Sequence, residues 1–354
     1  MFKIKTSVIG SYPRYPALVG PNFNPRWLLI SGNNVRWQEK NENIKSRQDE
    51  AVQWAVIEQE AAGVDIVSDG EQRRSNYILY HCQHLDGFDF VNMEELVCRG
   101  GKVKSLVPVI RGPVKATTLF LADEFRFLAS LTKKQIKVTI PGPLTIIDSV
   151  KDSYYFAEKE LAFALAEAIQ KEVQSLVEAG CTRIQIDEPV SIREPLKFLD
   201  YGVEALETCF KGAEGIIKEV HICRGYPNNE KDTKAEIEAY GQIIEALSRS
   251  IINNIAVEDA HENLSLDLFK RFGAKGVVLG VVDIGNPRVE TVEEIETRIK
   301  EVLQVVPPDR LLVAPDCGLL LLPPDIAKAK LANMVAAAKN VGKELSSHVL
   351  LTRR

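Results

Sequence analysis

A (β/α)8 barrel of parallel strands, the TIM-barrel form of the α/β class, is the fold this sequence predicts, on three observations. Eight short apolar runs rich in β-branched residues recur along the 354 residues. Amphipathic stretches of helical length lie between them, the alternation that builds parallel sheets. The runs end on polar or charged residues, among them a histidine, two cysteines and several carboxylates. A strand buried on both faces carries no charge inside it, whereas the C-terminal end of a barrel strand can.

The elements follow in order. KTSVIGS (5–11) ends in Gly10-Ser11 and a Pro-rich loop. A helix over 47–62 leads into VDIVSDGE (64–71), and a helix over 121–133 into IKVTIPGP (136–143). The stretch 155–180 has the 3.6-residue period and stops at Gly180, before TRIQIDEP (182–189). Then come IKEVHIC (217–223), NNIAVED (253–259), KGVVLGVVD (275–283) and RLLVAPDCG (310–318), with helices expected over 233–249, 264–272, 291–304 and 325–342. Two stretches exceed a minimal barrel. Residues 12–46 are loop-rich and hold Trp27 and Trp37; residues 77–118 hold GFDFVN and LVPVIRGPVKA, short pieces that suggest a hairpin. Both follow strand ends, so both are expected over the active face. With no internal repeat, residues 1–354 read as one catalytic domain with these two insertions.

Composition narrows the function. Hydrophobic residues make up 45% and charged residues 26%, a globular balance with ample core. The net charge of −5 gives no basic footprint for nucleic acid or an anionic membrane. No apolar run approaches a membrane span and the N-terminus lacks a signal-peptide layout, so a cytoplasmic location is expected. Six cysteines in so long a chain form no disulfide framework.

The chemistry concentrates at four strand ends. His221 and Cys223 lie in VHIC, Glu258 in IAVED and Cys317 in VAPDCG. Imidazole, thiolate and carboxylate are the ligand set of Zn²⁺. Taken singly, a cysteine is usually a small buried hydrophobe and a histidine a hydrogen-bonded structural residue. The H-x-C spacing changes this, because positions i and i+2 of a strand point the same way. Asp69 and Asp259 alone are equally well read as caps of the following helices. Cys181 and Cys209 read as structural, His81 and His84 as lid residues, and His261 as a possible acid–base group.

Taken together in this order, IGSYPR (9–14), DGEQRR (69–74), PGPLTI (141–146), QIDEPV (185–190), HIC (221–223), VED (257–259), GVVDIGNPRV (280–289) and PDCGL (315–319) make the chain resemble the catalytic C-terminal barrel of cobalamin-independent methionine synthases. The resemblance implies a zinc ion on His221, Cys223, Glu258 and Cys317, and homocysteine bound at Ile9, Gly10, Ser11, Glu71 and Asp187; because thiolates hold zinc more tightly, Glu258 is expected to be the labile ligand. Carboxylates suit the substrate ammonium and the Gly-Ser turn its carboxylate. Zinc would make the substrate thiol a thiolate, the good nucleophile.

The chain also departs from that family. The second, N-terminal barrel of the full-length enzymes is missing; Gly285 stands where their catalytic histidine lies, and Ser149 where their pteridine-stacking tryptophan lies. Folate as a leaving group needs a general acid, whereas low-valent cobalt departs without a proton. The expectation from sequence is therefore a zinc-dependent methionine synthase that takes its methyl group from a methylated corrinoid such as methylcobalamin, free or protein-bound. The alternatives are methyltetrahydrofolate with another acid such as His261, a zinc-dependent coenzyme M alkyltransferase, and a non-catalytic barrel. Glu71 and Asp187 favour an amino-acid thiol over a sulfonate. The zinc ligand set argues against a decarboxylase of the uroporphyrinogen type.

Overall fold

The computed structural model describes residues 2–19, 23–25, 43–98, 103–225 and 235–352. Its centre is a seven-stranded, wholly parallel sheet. In chain order its strands are β1 (Lys5–Thr6), β6 (Val138–Pro141), β8 (Arg183–Asp187), β9 (Ile217–Ile222), β10 (Asn254–Val257), β11 (Gly276–Gly280) and β12 (Leu311–Ala314). They lie side by side as β1-β12-β11-β10-β9-β8-β6. Residues of the central strands are buried almost throughout, as a sheet covered on both faces demands. A further parallel pair, β2 (Ile66–Val67) with β5 (Gln135–Ile136), touches both edges of this sheet. Ser7 pairs with Ile66 on the β1 side, and the Lys137 N–H donates to the Val67 carbonyl at 2.9 Å on the β6 side.

Parallel neighbours require long crossovers, and helices supply them. The helix Glu158–Glu178 shows why: Leu161, Leu165, Ile169, Val173 and Leu176 fall at helical spacing and are all buried. Helix Val292–Val302 starts at a capping box, in which Thr291 accepts from the Glu294 N–H and the Glu294 carboxylate from the Thr291 N–H. Between β8 and β9, where the sequence assigns no helix, a series of short helical pieces runs from Val190 to Cys209. It contains a wide turn at Phe198–Gly202, and a Cβ on Gly202 would come within 2.6 Å of the Phe198 ring.

The insertion at 77–118 holds a hairpin much longer than its apolar pieces suggest. Strands β3 (Asp86–Cys98) and β4 (Val103–Lys115) pair antiparallel, with register shifts, and β7 (Lys151–Asp152) adds in parallel to β4. The polar run Asn92–Glu95 hides this strand from a pattern search. Of the insertion at 12–46, a short helix at Pro16–Val19 and the start of the helix Ile44–Ala61 are described. Trp27 and Trp37 lie outside the described residues, as does the beginning of the helix expected over 233–249, whose described part is Ala239–Ser248.

Candidate active site

Parallel pairing brings the C-terminal ends of the strands together. In the register of β8, β9 and β10, Asp187 stands beside His221, and His221 beside Ala256. Cys223 follows β9 directly, Glu258 follows β10, and Cys317 lies three residues past β12. The ligating atoms of His221, Cys223 and Cys317 all fall within 4.8 Å of one another, and all three residues are buried. A hydrogen bond with Cys317 and the nearby His221 imidazole, against the opposing effect of burial, hold the Cys223 thiol well below its ordinary value. Burial pulls the His221 imidazole down, but the Cys223 thiolate and the Asp187 carboxylate outweigh it and raise it to about 10.

Glu258 stands outside this group of three. Its carboxylate accepts from the Arg224 side chain (Nε, 2.7 Å) and from the Arg224 backbone N–H (3.2 Å), while Arg224 Nη1 reaches Glu262 at 2.7 Å.

The expected substrate residues lie on the neighbouring ends. Asp187 Oδ1 is 3.1 Å from His221 Nδ1 and accepts from Gln185 Nε2 at 2.6 Å. Glu71 is the only described non-glycine residue with a positive φ, 56°, a strained conformation of the kind that collects at functional sites. The strain is held in place by neighbours. Thr139 Oγ1 donates to Glu71 Oε1 at 2.9 Å, Arg74 Nη1 at 3.2 Å, and the buried Arg14 guanidinium binds the Glu71 and Arg74 carbonyls. Burial raises the Glu71 carboxyl, with Arg74 opposing. A Cβ on Gly10 would lie 2.7 Å from Glu71 Oε1, so a larger residue there would displace the Glu71 carboxylate. The Ile9 carbonyl accepts from Gln185 Nε2 at 2.8 Å, and the Ser11 carbonyl accepts from the Leu319 N–H at 2.7 Å, which joins this turn to the Cys317 loop.

Several residues at the site carried no sequence signal, because their partners are distant in the chain. Asp316 accepts the backbone N–H groups of Asp259, Ala260 and His261 at 2.9, 2.9 and 2.8 Å, which ties the Cys317 loop to the Glu258 loop. Burial, then the charges of Asp187, Cys223 and Cys317, raise the Tyr77 phenol well above its usual range. His261 Nδ1 is 3.9 Å from Asp283 Oδ1, and Asp283 also accepts from the Gly285 N–H at 2.8 Å. Ser149 donates to the Thr145 carbonyl at 3.0 Å. His84 stacks on Phe120 with ring centroids 3.8 Å apart, and His81 packs edge-on against the same ring. Cys181 and Cys209 are buried and donate to backbone carbonyls at 3.3 Å.

A parallel α/β sheet with thiols, imidazole and carboxylates gathered at its strand ends defines a class: an enzyme-type α/β scaffold with a soft-metal donor set. Comparison with known proteins then specifies it. The chain belongs to the cobalamin-independent synthase family, whose catalytic domain it matches over residues 4–340. It is 33% identical to a methionine synthase of Sulfurisphaera tokodaii over 97% of this chain and 94% of that one. To a methionine synthase of Thermococcus kodakarensis it is 33% identical over 97% and 95%. Its fold superposes on a B12-independent methionine synthase of a Shewanella species, solved in complex with selenomethionine, with a TM-score of 0.88, 28% identity and coverage of 98% and 99%.

These findings correct the expected methyl donor and partner. A methylated corrinoid, free or protein-bound, does not fit a chain of the cobalamin-independent family. The departures at Gly285 and Ser149 do not outweigh membership of that family. The His261 imidazole, on the loop after β10, lies with Nδ1 3.9 Å from Asp283 Oδ1. Among the described residues no helix is long and apolar enough to cross a membrane.

Proposed function

We propose that the chain is a zinc-dependent methionine synthase that transfers a methyl group from methyltetrahydrofolate to homocysteine. The observation that carries the reading is the convergence of His221, Cys223 and Cys317 within 4.8 Å, with the Cys223 thiol held low. Two sulfurs and an imidazole nitrogen at that spacing suit Zn²⁺. Glu258 is the fourth, labile ligand in this reading, and Arg224 is its alternative partner. Zinc, when bound, supplies a Lewis acid that lowers the pKa of a coordinated thiol. The scaffold of the proposal is one domain over 1–354, a closed (β/α)8 barrel in which the β2–β5 pair bridges the edges of the seven-stranded sheet.

The remaining steps belong to the chain's own side chains. Glu71, Asp187 and the Ile9 carbonyl receive the homocysteine ammonium, and the Gly10-Ser11 turn faces its carboxylate. Displacing a methyl group from N5 of the folate leaves charge on that nitrogen, and a proton must reach it. His261, whose Nδ1 lies 3.9 Å from Asp283 Oδ1, is the group for this role. The test is methionine formation from homocysteine with methyltetrahydrofolate, alongside metal analysis. Turnover with the folate donor and about one zinc per chain are expected. Metal-independent turnover, or none with folate, overturns the proposal.

A further inference from the structure

The interior of the sheet, one layer below the site, holds charged and polar groups that the proposed reaction does not use. Lys137 is fully buried, between two carbonyl-type acceptors: Glu219 Oε1 at 2.9 Å and Gln185 Oε1 at 2.5 Å. Glu219 is shared with Arg183 Nη1 at 2.7 Å and Asn254 Nδ2 at 3.2 Å, so two cations contact one carboxylate. A buried hydrogen-bonded network of this kind constrains the orientation of its members.

That constraint has a direction. An ammonium group can only donate, so Lys137 fixes which end of the Gln185 amide faces it. The oxygen turns to Lys137, and the nitrogen must turn the other way. There Nε2 donates to Asp187 Oδ1 at 2.6 Å and to the Ile9 carbonyl at 2.8 Å. These two acceptors come from strand ends 176 and 2 residues away in sequence, and one amide nitrogen holds both. They are also two of the groups assigned above to the substrate ammonium. His221 Nδ1 approaches the same Oδ1 at 3.1 Å, so both protein donors converge on one oxygen of Asp187 and the other receives neither.

We infer that Gln185, with its amide polarity set by Lys137, is a positioning residue that holds Asp187 and the Ile9 carbonyl as a preformed clamp for the α-ammonium of an amino-acid substrate. The inference rests on the amino-acid reading of the site under Proposed function. Gln185 acts through its partners and gives selectivity for a ligand that carries an ammonium over one that lacks it. A preformed clamp spares the ligand the cost of ordering its acceptors, so the loss falls on affinity rather than on the chemical step.

The experiment measures binding of L-methionine and of its desamino analogue, 4-(methylthio)butanoate, by calorimetry to the full chain. The wild-type protein is compared with Gln185→Met, Gln185→Glu and Lys137→Met. Wild type should prefer methionine. Gln185→Met should weaken methionine on the order of tenfold or more and leave the analogue almost unchanged, because only one ligand uses the clamp. Gln185→Glu keeps the volume and an acceptor for Lys137, but has no donor for Asp187; it should lose the preference too, and it serves if the Met variant does not fold. Lys137→Met frees the amide to flip and should lose part of the preference. A purely structural role would weaken both ligands alike or neither, and either result in a folded variant overturns the inference. Failure of the wild-type chain to prefer methionine would instead overturn the amino-acid reading itself.

Discussion

Replacing Asp316 by Asn changes one atom type at the junction of two loops, and its cost follows from the geometry. Oδ1 accepts two backbone N–H groups, those of Asp259 and Ala260, and Oδ2 accepts that of His261. The Asn amide does best to keep its oxygen on the pair, which sets its NH2 against the His261 N–H. One hydrogen bond to a charged acceptor is lost and a donor is left facing a donor, which together cost about 1.5–3 kcal/mol. Asp316 is buried, so solvent does not step in. The volume is unchanged, so no cavity contributes. Hydrogen exchange at the amides of 259–261 is the direct assay, since it reads the opening of this loop without requiring global two-state unfolding. At about 1.4 kcal/mol per factor of ten, exchange should speed up roughly 10- to 100-fold in Asp316→Asn. Asp316→Ala, which loses all three bonds, should exceed this. Exchange within about twofold of wild type in Asn would refute the reasoning, because a charged acceptor worth 1.5 kcal/mol cannot vanish so cheaply.

Other tests address the site and the core. Cys317→Ala should stay folded and lose bound zinc, because the apolar core does not depend on the metal; full zinc by elemental analysis would remove Cys317 from the ligand set. His261→Ala should lower kcat with methyltetrahydrofolate by roughly 10²–10⁴, the range of a lost general acid, and adding Gly285→His should restore part of it. An unchanged rate would leave His261 with no catalytic part. Glu172 gives a pH test far from the site. Burial raises its carboxyl to about 7, against the N–H bonds from Phe120 and Leu121. The folded state therefore binds this proton more tightly than the unfolded one. Its contribution favours the fold at low pH and is lost as pH rises from the ordinary carboxyl range through about 7. Glu172→Gln should flatten stability across that window in denaturant titrations; an undiminished slope would mean that another group carries it.

How much of this was legible in the sequence depends on the distance over which each feature is encoded. The strands were readable because runs such as NNIAVED and RLLVAPDCG announce a buried strand and its polar end within a few residues. His221 and Cys223 were readable as a pair for the same reason. The hairpin β3–β4 was underestimated because β3, partly exposed, alternates poorly and carries Asn92–Glu95 in mid-strand. The pairing of Glu258 with Arg224, and that of the Ile9 carbonyl with Gln185, join the ends of different strands, and no local pattern encodes them. The methyl donor went wrong because Gly285 and Ser149 were given more weight than the alternative acid His261, whose Nδ1 lies 3.9 Å from Asp283 Oδ1.

The pairing of β1 with β12 has a consequence in time. Strand Lys5–Thr6 finds its partner at Leu312–Val313, the Phe2 N–H bonds to Ser346 some 344 residues away, and the turn at 9–11 is fastened to the Cys317 loop through Ser11 and Leu319. During synthesis the first strand emerges long before the last, and its edge must wait exposed until β12 arrives. Contacts of such long separation close late and slowly. The turn at 9–11 and the loop of Cys317 are thus brought together by a single closing event. In the proposed zinc site, a nascent chain that has already made His221 and Cys223 would still lack Cys317, so metal capture would wait until the fold is nearly finished.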